Sequence, residues 1–170
     1  MILTVSEALA KSTKELKPYI SNALRNDVFE NVREIMHTYI QEDVYSAYSP
    51  KVYERRGSSG LGNINSIVYK SSNPYYIFVK TIARPNPYGV NEKSAKYVYK
   101  NASKKELDVL VEYGHGNPYN YDFSKKQYAY LEPRPFARHT YELMEDTGFH
   151  VLAFVEGLTA EGINAEVVWD

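Results

Sequence analysis

The chain has 170 residues, which is long enough for one domain that needs neither metal nor disulfide to hold its core together. A formal charge of −1 and a pI near 6.4 exclude a global electrostatic attraction to nucleic acid or to an anionic membrane, so DNA binding would require a local basic patch. The absence of cysteine excludes a disulfide scaffold and a thiol nucleophile.

Tyrosine is the outlier in the composition, with 17 residues against a single tryptophan. Its side chain combines apolar area with one hydrogen bond, which suits either a partner interface or a Tyr-rich surface without a partner. No apolar run approaches the ~20 residues that cross a bilayer. The first residues lack the basic-then-apolar order of a signal peptide, so we expect synthesis in the cytoplasm.

A first helix is predicted near the N-terminus. Thr4 and Glu7 have the spacing of a capping box, in which two side chains satisfy the free N–H groups of a helix start. The helix therefore begins near Val5. Pro18 lies within its apolar pattern and is expected to kink or interrupt it, because proline removes a helical hydrogen bond.

A second helix is predicted before residue 50. Asn26 or Asp27 can cap its start, and Pro50 sets its end. It has the cleanest helical stripe in the chain, formed by Phe29, Val32, Ile35, Met36, Tyr39, Ile40, Val44 and Ala47.

The middle of the chain predicts an antiparallel hairpin. A flexible loop at 57–63 precedes two segments rich in β-branched and aromatic residues, 64–70 and 75–84, which a turn at 71–74 joins. Both faces of the second segment contain apolar residues. This pattern predicts a strand covered by a helix on one face and by a neighbouring subunit on the other. A long exposed loop is expected to follow at 84–102.

The chain is organised around two motifs, LVEYGHG (110–116) and EPRPFARHTYE (132–142). Before the first motif, Ser103 and Glu106 have capping-box spacing, and Gly114 can end a short helix. The alternation of apolar and polar residues over 107–113 leaves a strand as the rival interpretation. In the second motif, Pro133 and Pro135 precede a helix whose apolar stripe begins at Phe136.

The C-terminal part predicts a further helix at 147–160, with a break at Gly148, a stop at Gly162 and a closing strand at 163–169. The predicted fold class is therefore α+β. N-terminal helices and a C-terminal helix pack on a small, mainly antiparallel β-sheet with long loops. We expect a single domain over 1–170, with a helical part at 1–49 and an α+β part at 50–170.

The motif VEYGHG, followed after a loop by PRPFARHTYE, resembles the tail-completion or neck family of tailed bacteriophages, which carries a VEYGT-like turn and an ARPF-like helix start. GLGNINSI (60–67) resembles the TGNLRNSI-like entry to the first long strand of that family. YSAYSPKVYERR (45–56) is similar to a stretch in members from phages of Gram-positive hosts. The chain departs from the family at His115, where threonine is common, and in a Tyr-rich insert at 117–130.

The resemblance implies a structural virion protein that joins the head connector to the tail and forms a ring around the DNA channel. Its expected partners are copies of itself, sixfold by analogy, the head-closure or connector protein, the tail terminator or tail tube proteins and the packaged DNA. No enzyme activity, cofactor, metal or membrane partner is expected. The protein would be made in the bacterial host cytoplasm and would reside in the virion.

Six residues are candidates for subunit or partner contacts, with Phe136 expected to point inward as a core anchor: Tyr75, Tyr76, Tyr113, His115, Arg134 and Phe136. Arg55 and Arg56 are candidates for facing DNA. They also support an alternative, a small nucleic-acid-binding domain that uses both arginines and the lysine-bearing segment 92–105. A third hypothesis is a hydrolase in which His115 acts as acid or base, although no nucleophile or orienting carboxylate stands beside it at a recognised spacing.

Overall fold

The computed structural model describes residues 5–46, 60–83, 111–113 and 133–168. Its elements are, in chain order, α1 (Val5–Ala23), a first π-helical turn (Leu24–Val28), α2 (Phe29–Tyr39), a second π-helical segment (Ile40–Ser46), a 3-10 turn (Ile64–Ser66), β1 (Ile67–Asn73), β2 (Tyr76–Thr81), α3 (Phe136–Thr147) and α4 (Phe149–Ala160). Strands β1 and β2 form a two-stranded antiparallel sheet. The predicted α+β fold class is confirmed.

Contacts divide the chain into two compact units. The first comprises Met1–Val32, Tyr69–Val79 and Met144–Asp170, and the second comprises Arg33–Val68 and Lys80–Leu143. Each unit has its own buried apolar residues, which include Ala23, Val28, Phe29 and Ala153 in the first and Ile40, Leu61, Ile67 and Phe136 in the second. None of the helices within the described ranges is both long and apolar enough to cross a membrane.

The N-terminal helices run on without the predicted interruptions. Pro18 lies inside α1, which continues to Ala23. The expected cap at Asn26 or Asp27 is wrong, because both residues lie within the first π-helical turn. The backbone N–H of Phe29 donates to the Leu24 carbonyl, five residues earlier, so the ladder of helical hydrogen bonds bridges the position where a new helix start was expected.

The hairpin is shifted along the chain relative to the prediction. Residues 64–66 form a 3-10 turn instead of a strand, because the Asn63 side chain accepts a hydrogen bond from the Asn65 N–H at 3.0 Å. At the other end, β1 extends to Asn73 through most of the predicted turn. The Asn73 side chain accepts the Tyr75 N–H at 2.9 Å, which places the tip of the hairpin at residues 74 and 75.

The C-terminal part confirms two predicted boundaries and corrects one element. Gly148 has a φ of 65° and separates α3 from α4, and Gly162, with a φ of 83°, follows the end of α4. Residues 163–168 do not form the predicted closing strand. Their burial alternates as a strand pattern requires, with Ile163, Ala165 and Val167 half-buried, but the backbone of these residues joins no ladder.

Helix α4 packs against the end of α1 and the first π-helical turn. Gly157 lies at the closest approach, since a Cβ atom there would meet the Asp27 carboxylate and would lie 2.9 Å from the Ala23 Cβ. Asp27 is exposed and its side chain can swing away, whereas Ala23 is fully buried and fixed to the backbone. The absence of a side chain at Gly157 therefore sets how closely the helices of the first unit pack.

We expect Gly157→Val to destabilise the protein by about 1–3 kcal/mol, because the added carbons overpack the contact with Ala23. Thermal unfolding followed by circular dichroism measures the effect. Glu156→Val is the matched control, since it places the same side chain on the exposed neighbouring position of α4. Equal melting temperatures for the two variants would contradict the close approach.

Candidate assembly interface

The hairpin has one face that packs on the protein. The inward positions of β2 are Ile77, Val79 and Thr81, which are half-buried or buried. On β1, the ring of Tyr69 meets the ring of Phe29 edge to face, with centroids 4.9 Å apart and planes at 66°. A two-stranded sheet is marginal by itself, and this packing against a helix supplies the burial that it needs.

The opposite face of the hairpin is open. It carries Lys70, Ser72, Tyr76 and Phe78, all exposed, and we call these four residues the hairpin outer face. Phe78 has 61% of its surface exposed and Tyr76 has 49%. Hydroxyl groups of Ser72 and Tyr76 lie 2.7 Å apart and hydrogen-bond across the strands. Adjacent exposed aromatic rings on a rigid ladder are typical of an interaction surface.

A shallow depression extends the hairpin outer face toward the first π-helical turn. Arg25 lines it together with Tyr69 and Ser71 of the inward face, and the depression reaches Lys70, Ser72, Tyr76 and Phe78 of the hairpin outer face. Neither cation forms an ion pair with any residue in the part of the chain that the structure describes. The surface therefore combines an aromatic centre with a basic edge.

The two organising motifs meet in the second unit. One carboxylate oxygen of Glu112 accepts the backbone N–H of Ala137 at 2.8 Å, and the other accepts that of Arg138 at 3.1 Å. These N–H groups belong to the first turn of α3, which has no intrahelical partner for them. Glu112 thus caps α3 from a distant segment, and its charge lies at the positive end of the helix dipole.

Arg134 makes two further hydrogen bonds close to the start of α3, and we call its contacts and those of Glu112 the junction. Its backbone N–H donates to the Val111 carbonyl at 2.9 Å, and its guanidinium Nη1 donates to the Val44 carbonyl at 2.9 Å. One half-buried residue therefore ties the start of α3 both to residues 111–113 and to the second π-helical segment. Arg134 therefore fixes the segment that precedes α3.

A second polar contact, between His139 and Asp43, also connects this part of the chain to the second π-helical segment. His139 Nδ1 lies 2.8 Å from an oxygen of the Asp43 carboxylate, and the imidazole ring packs against Tyr39 with centroids 5.6 Å apart. Both links join α3 to the end of the long N-terminal helical run. Asp43 and Glu112 were not identified from the sequence, because each lies far along the chain from the α3 residue that it contacts and no local pattern signals the contact.

Part of the loop predicted to be flexible is a tethered turn. The backbone N–H of Gly62 donates to the Tyr45 hydroxyl at 2.8 Å, and the Gly62 carbonyl accepts from His37 Nε2 at 3.0 Å and Gln41 Nε2 at 3.2 Å. A Cβ atom on Gly62 would lie 2.7 Å from the Tyr45 ring. A side chain at position 62 would therefore have to displace the Tyr45 ring, whose hydroxyl holds this turn.

The residues that the sequence predicts to make subunit or partner contacts differ in how much of their surface is exposed. Tyr75 and Tyr76 are exposed at and beside the hairpin tip, and Tyr113 is exposed over 76% of its surface. Phe136 is buried, with 1% exposed, in agreement with its expected role as an inward anchor. The helical backbone of residues 111–113 confirms the helix over the strand at those positions.

Several predicted features lie outside the described residues. They are His115, Arg55, Arg56, the lysine-bearing segment 92–105, the long loop at 84–102 and the insert at 117–130. The nucleic-acid-binding and hydrolase alternatives therefore stay predictions. Within the ranges that are described, no three His, Asp or Glu side chains gather in a group that could hold a metal ion.

Comparisons with known proteins identify one family that this chain matches. A family model described as YomN matches residues 8–160. The SPbeta prophage-derived uncharacterized protein YomN of Bacillus subtilis (strain 168) is 28% identical over 165 residues, which cover 93% of this chain and 100% of that relative. No solved structure matches.

We expect Glu112→Ala to cost about 0.5–2 kcal/mol of stability, because two N–H groups at the start of α3 lose their acceptor. Glu112→Gln, which keeps one acceptor oxygen, should cost less. Urea unfolding measures both. Glu142→Ala is the control, since that carboxylate makes only an exposed pair with Arg138 at 3.6 Å. A Glu112→Ala variant as stable as the control would refute the cap.

Proposed function

Because the chain belongs to the YomN family, whose prophage-derived relative indicates a bacteriophage-related origin, we propose that it is a structural protein of the virion of a tailed phage. In this proposal it is a neck or tail-completion component that joins the head connector to the tail. Copies of the chain form a ring around the channel through which DNA passes, with sixfold symmetry by analogy with the tail.

The open hairpin outer face is the observation that carries the proposal. Phe78 and Tyr76 expose aromatic surface that water hydrates poorly, on a ladder stiffened by packing on its other face. An aromatic side chain contributes about 1.5–3 kcal/mol when it is fully buried, so covering this face favours association. A ring component needs such a surface, because each copy contacts its neighbours as well as the proteins above and below.

The junction at Glu112 and Arg134 supports the same role. It fixes α3 by backbone hydrogen bonds, and Tyr113 stands exposed one residue after the capping carboxylate. A joint that transmits load between a head and a tail requires segments whose position does not depend on the neighbour. The partners we propose for these surfaces are the head-closure or connector protein on one side and the tail terminator or tail tube proteins on the other.

Removal of the gene from the phage should leave DNA-filled heads and finished tails that do not join, because the component that connects them is missing. Electron microscopy of lysates scores the joined particles, and expression of the intact chain in trans is the control that should restore them. Purified wild-type virions should contain the chain, detected by immunoblot. Joined, infectious particles in the deletion strain, or virions without the chain, would overturn the proposal.

A further inference from the structure

The charges of this chain are separated along the sequence. Residues 55–91 contain five Lys or Arg and no Asp or Glu, whereas residues 139–170 contain seven Asp or Glu and no Lys or Arg. The first stretch includes the whole hairpin and the second includes α4. A net charge near zero therefore conceals one basic and one acidic region, and opposite regions of this kind attract each other between molecules.

The acidic region carries its own apolar surface. Phe149, Leu152 and Glu156 follow one another at helical spacing along α4 and are all exposed, with 44% of Phe149 and 41% of Leu152 accessible. We call these three residues the α4 outer face. The adjacent side of α4 is occupied, since Ala153 and Gly157 are buried and α4 packs on α1.

We propose that the hairpin outer face of one copy docks on the α4 outer face of the next copy. This contact deepens the proposed ring and rests on it for its biological setting. Phe78 and Tyr76 would cover Phe149 and Leu152, while the edge formed by Lys70 and Arg25 would lie near Glu156. Both surfaces lie in the first unit, so a single folded body presents the two halves of the contact.

Electrostatics favour the pairing of a hairpin outer face with an α4 outer face over the pairing of two identical faces. Two hairpin outer faces brought together would place Lys70 and Arg25 of one copy against the same cations of the other. Two α4 outer faces would juxtapose their Glu156 carboxylates. Like charges oppose association, whereas the mixed pairing places opposite charges around an apolar centre. Because the two surfaces differ, the contact is heterologous, and repetition of it generates a closed ring when the rotation closes.

Crosslinking tests this geometry directly, because the chain has no cysteine of its own. Ser72→Cys places one thiol on the hairpin outer face, and Ala160→Cys places one beside the α4 outer face, four residues after Glu156 on the same side of the helix, so that the Glu156 carboxylate is kept. Both positions are exposed. A short bis-maleimide crosslinker should give covalent dimers when the two purified variants are mixed, and few when either is treated alone. Dimers formed equally by each variant alone, or none in the mixture at high protein concentration, would overturn the proposal.

A complementation experiment gives an independent measurement. Phe78→Ser removes the hairpin aromatic group and Leu152→Ser removes the apolar group on α4. Each variant alone should self-associate at least about tenfold more weakly than the wild type in sedimentation equilibrium. Their mixture should recover a dimer, because each supplies the intact face that the other lacks. Val168→Ser, which removes an exposed apolar side chain outside both faces, is the matched control and should not alter association.

The results of these experiments distinguish a failure of the docking contact from a failure of the proposed neck role. Crosslinked dimers in solution from a chain that is absent from virions would retain the docking contact and remove the neck role. A chain present in virions whose mixed thiol variants form no crosslink, either in solution or in assembled particles, would retain the neck role and remove the contact. Circular dichroism of each variant establishes that it folds, so that a missing crosslink reports on docking alone.

Discussion

The carboxylate of Glu112 is the contact on which the second unit depends. Two N–H groups at the start of α3 would have no acceptor without it, and the segment that carries it would keep its bond from the Arg134 N–H to the Val111 carbonyl but lose these two. Arg134 and the pair of Asp43 with His139 add links from the same helix to the end of the N-terminal helical run. Long-range hydrogen bonds thus locate segments whose own secondary structure is short.

The first unit is held in a different way. Its main contacts are steric and apolar, since α4 approaches the end of α1 at Gly157 and the Tyr69 ring of the hairpin packs on Phe29. A hydrogen bond from Asn22 to Glu161 joins the ends of the same two helices. One side of α4 and the outer face of the hairpin stay exposed beside this packing. The aromatic and aliphatic side chains on those faces are consequently presented on rigid supports, which lowers the entropic cost of an association that buries them.

These two arrangements suit a protein whose activity is assembly. A subunit that assembles needs an interior whose groups find their partners within the chain. It also needs exposed surfaces that gain contacts only when another molecule binds. The hydrogen bonds of the second unit meet the first requirement, and the open faces of the first unit meet the other. Family membership and the prophage-derived relative indicate a bacteriophage-related origin, and the proposed role in the neck gives the open faces partners.

Elements that depend on neighbours along the chain could be predicted from the order of the amino acids alone. The apolar stripe of α2, the helix beginning at Phe136 and the break at Gly148 follow from side-chain periodicity and local backbone preference, which act within a few residues. Features that depend on distant partners became visible only in the folded chain. Asn26 and Asp27 offered a cap that a continuing helix did not use, and residues 163–168 had the alternation of a strand without a ladder to join. Glu112 became a cap and Gly62 a contact point only because α3 and Tyr45 lie beside them in space, and no local pattern encodes that proximity.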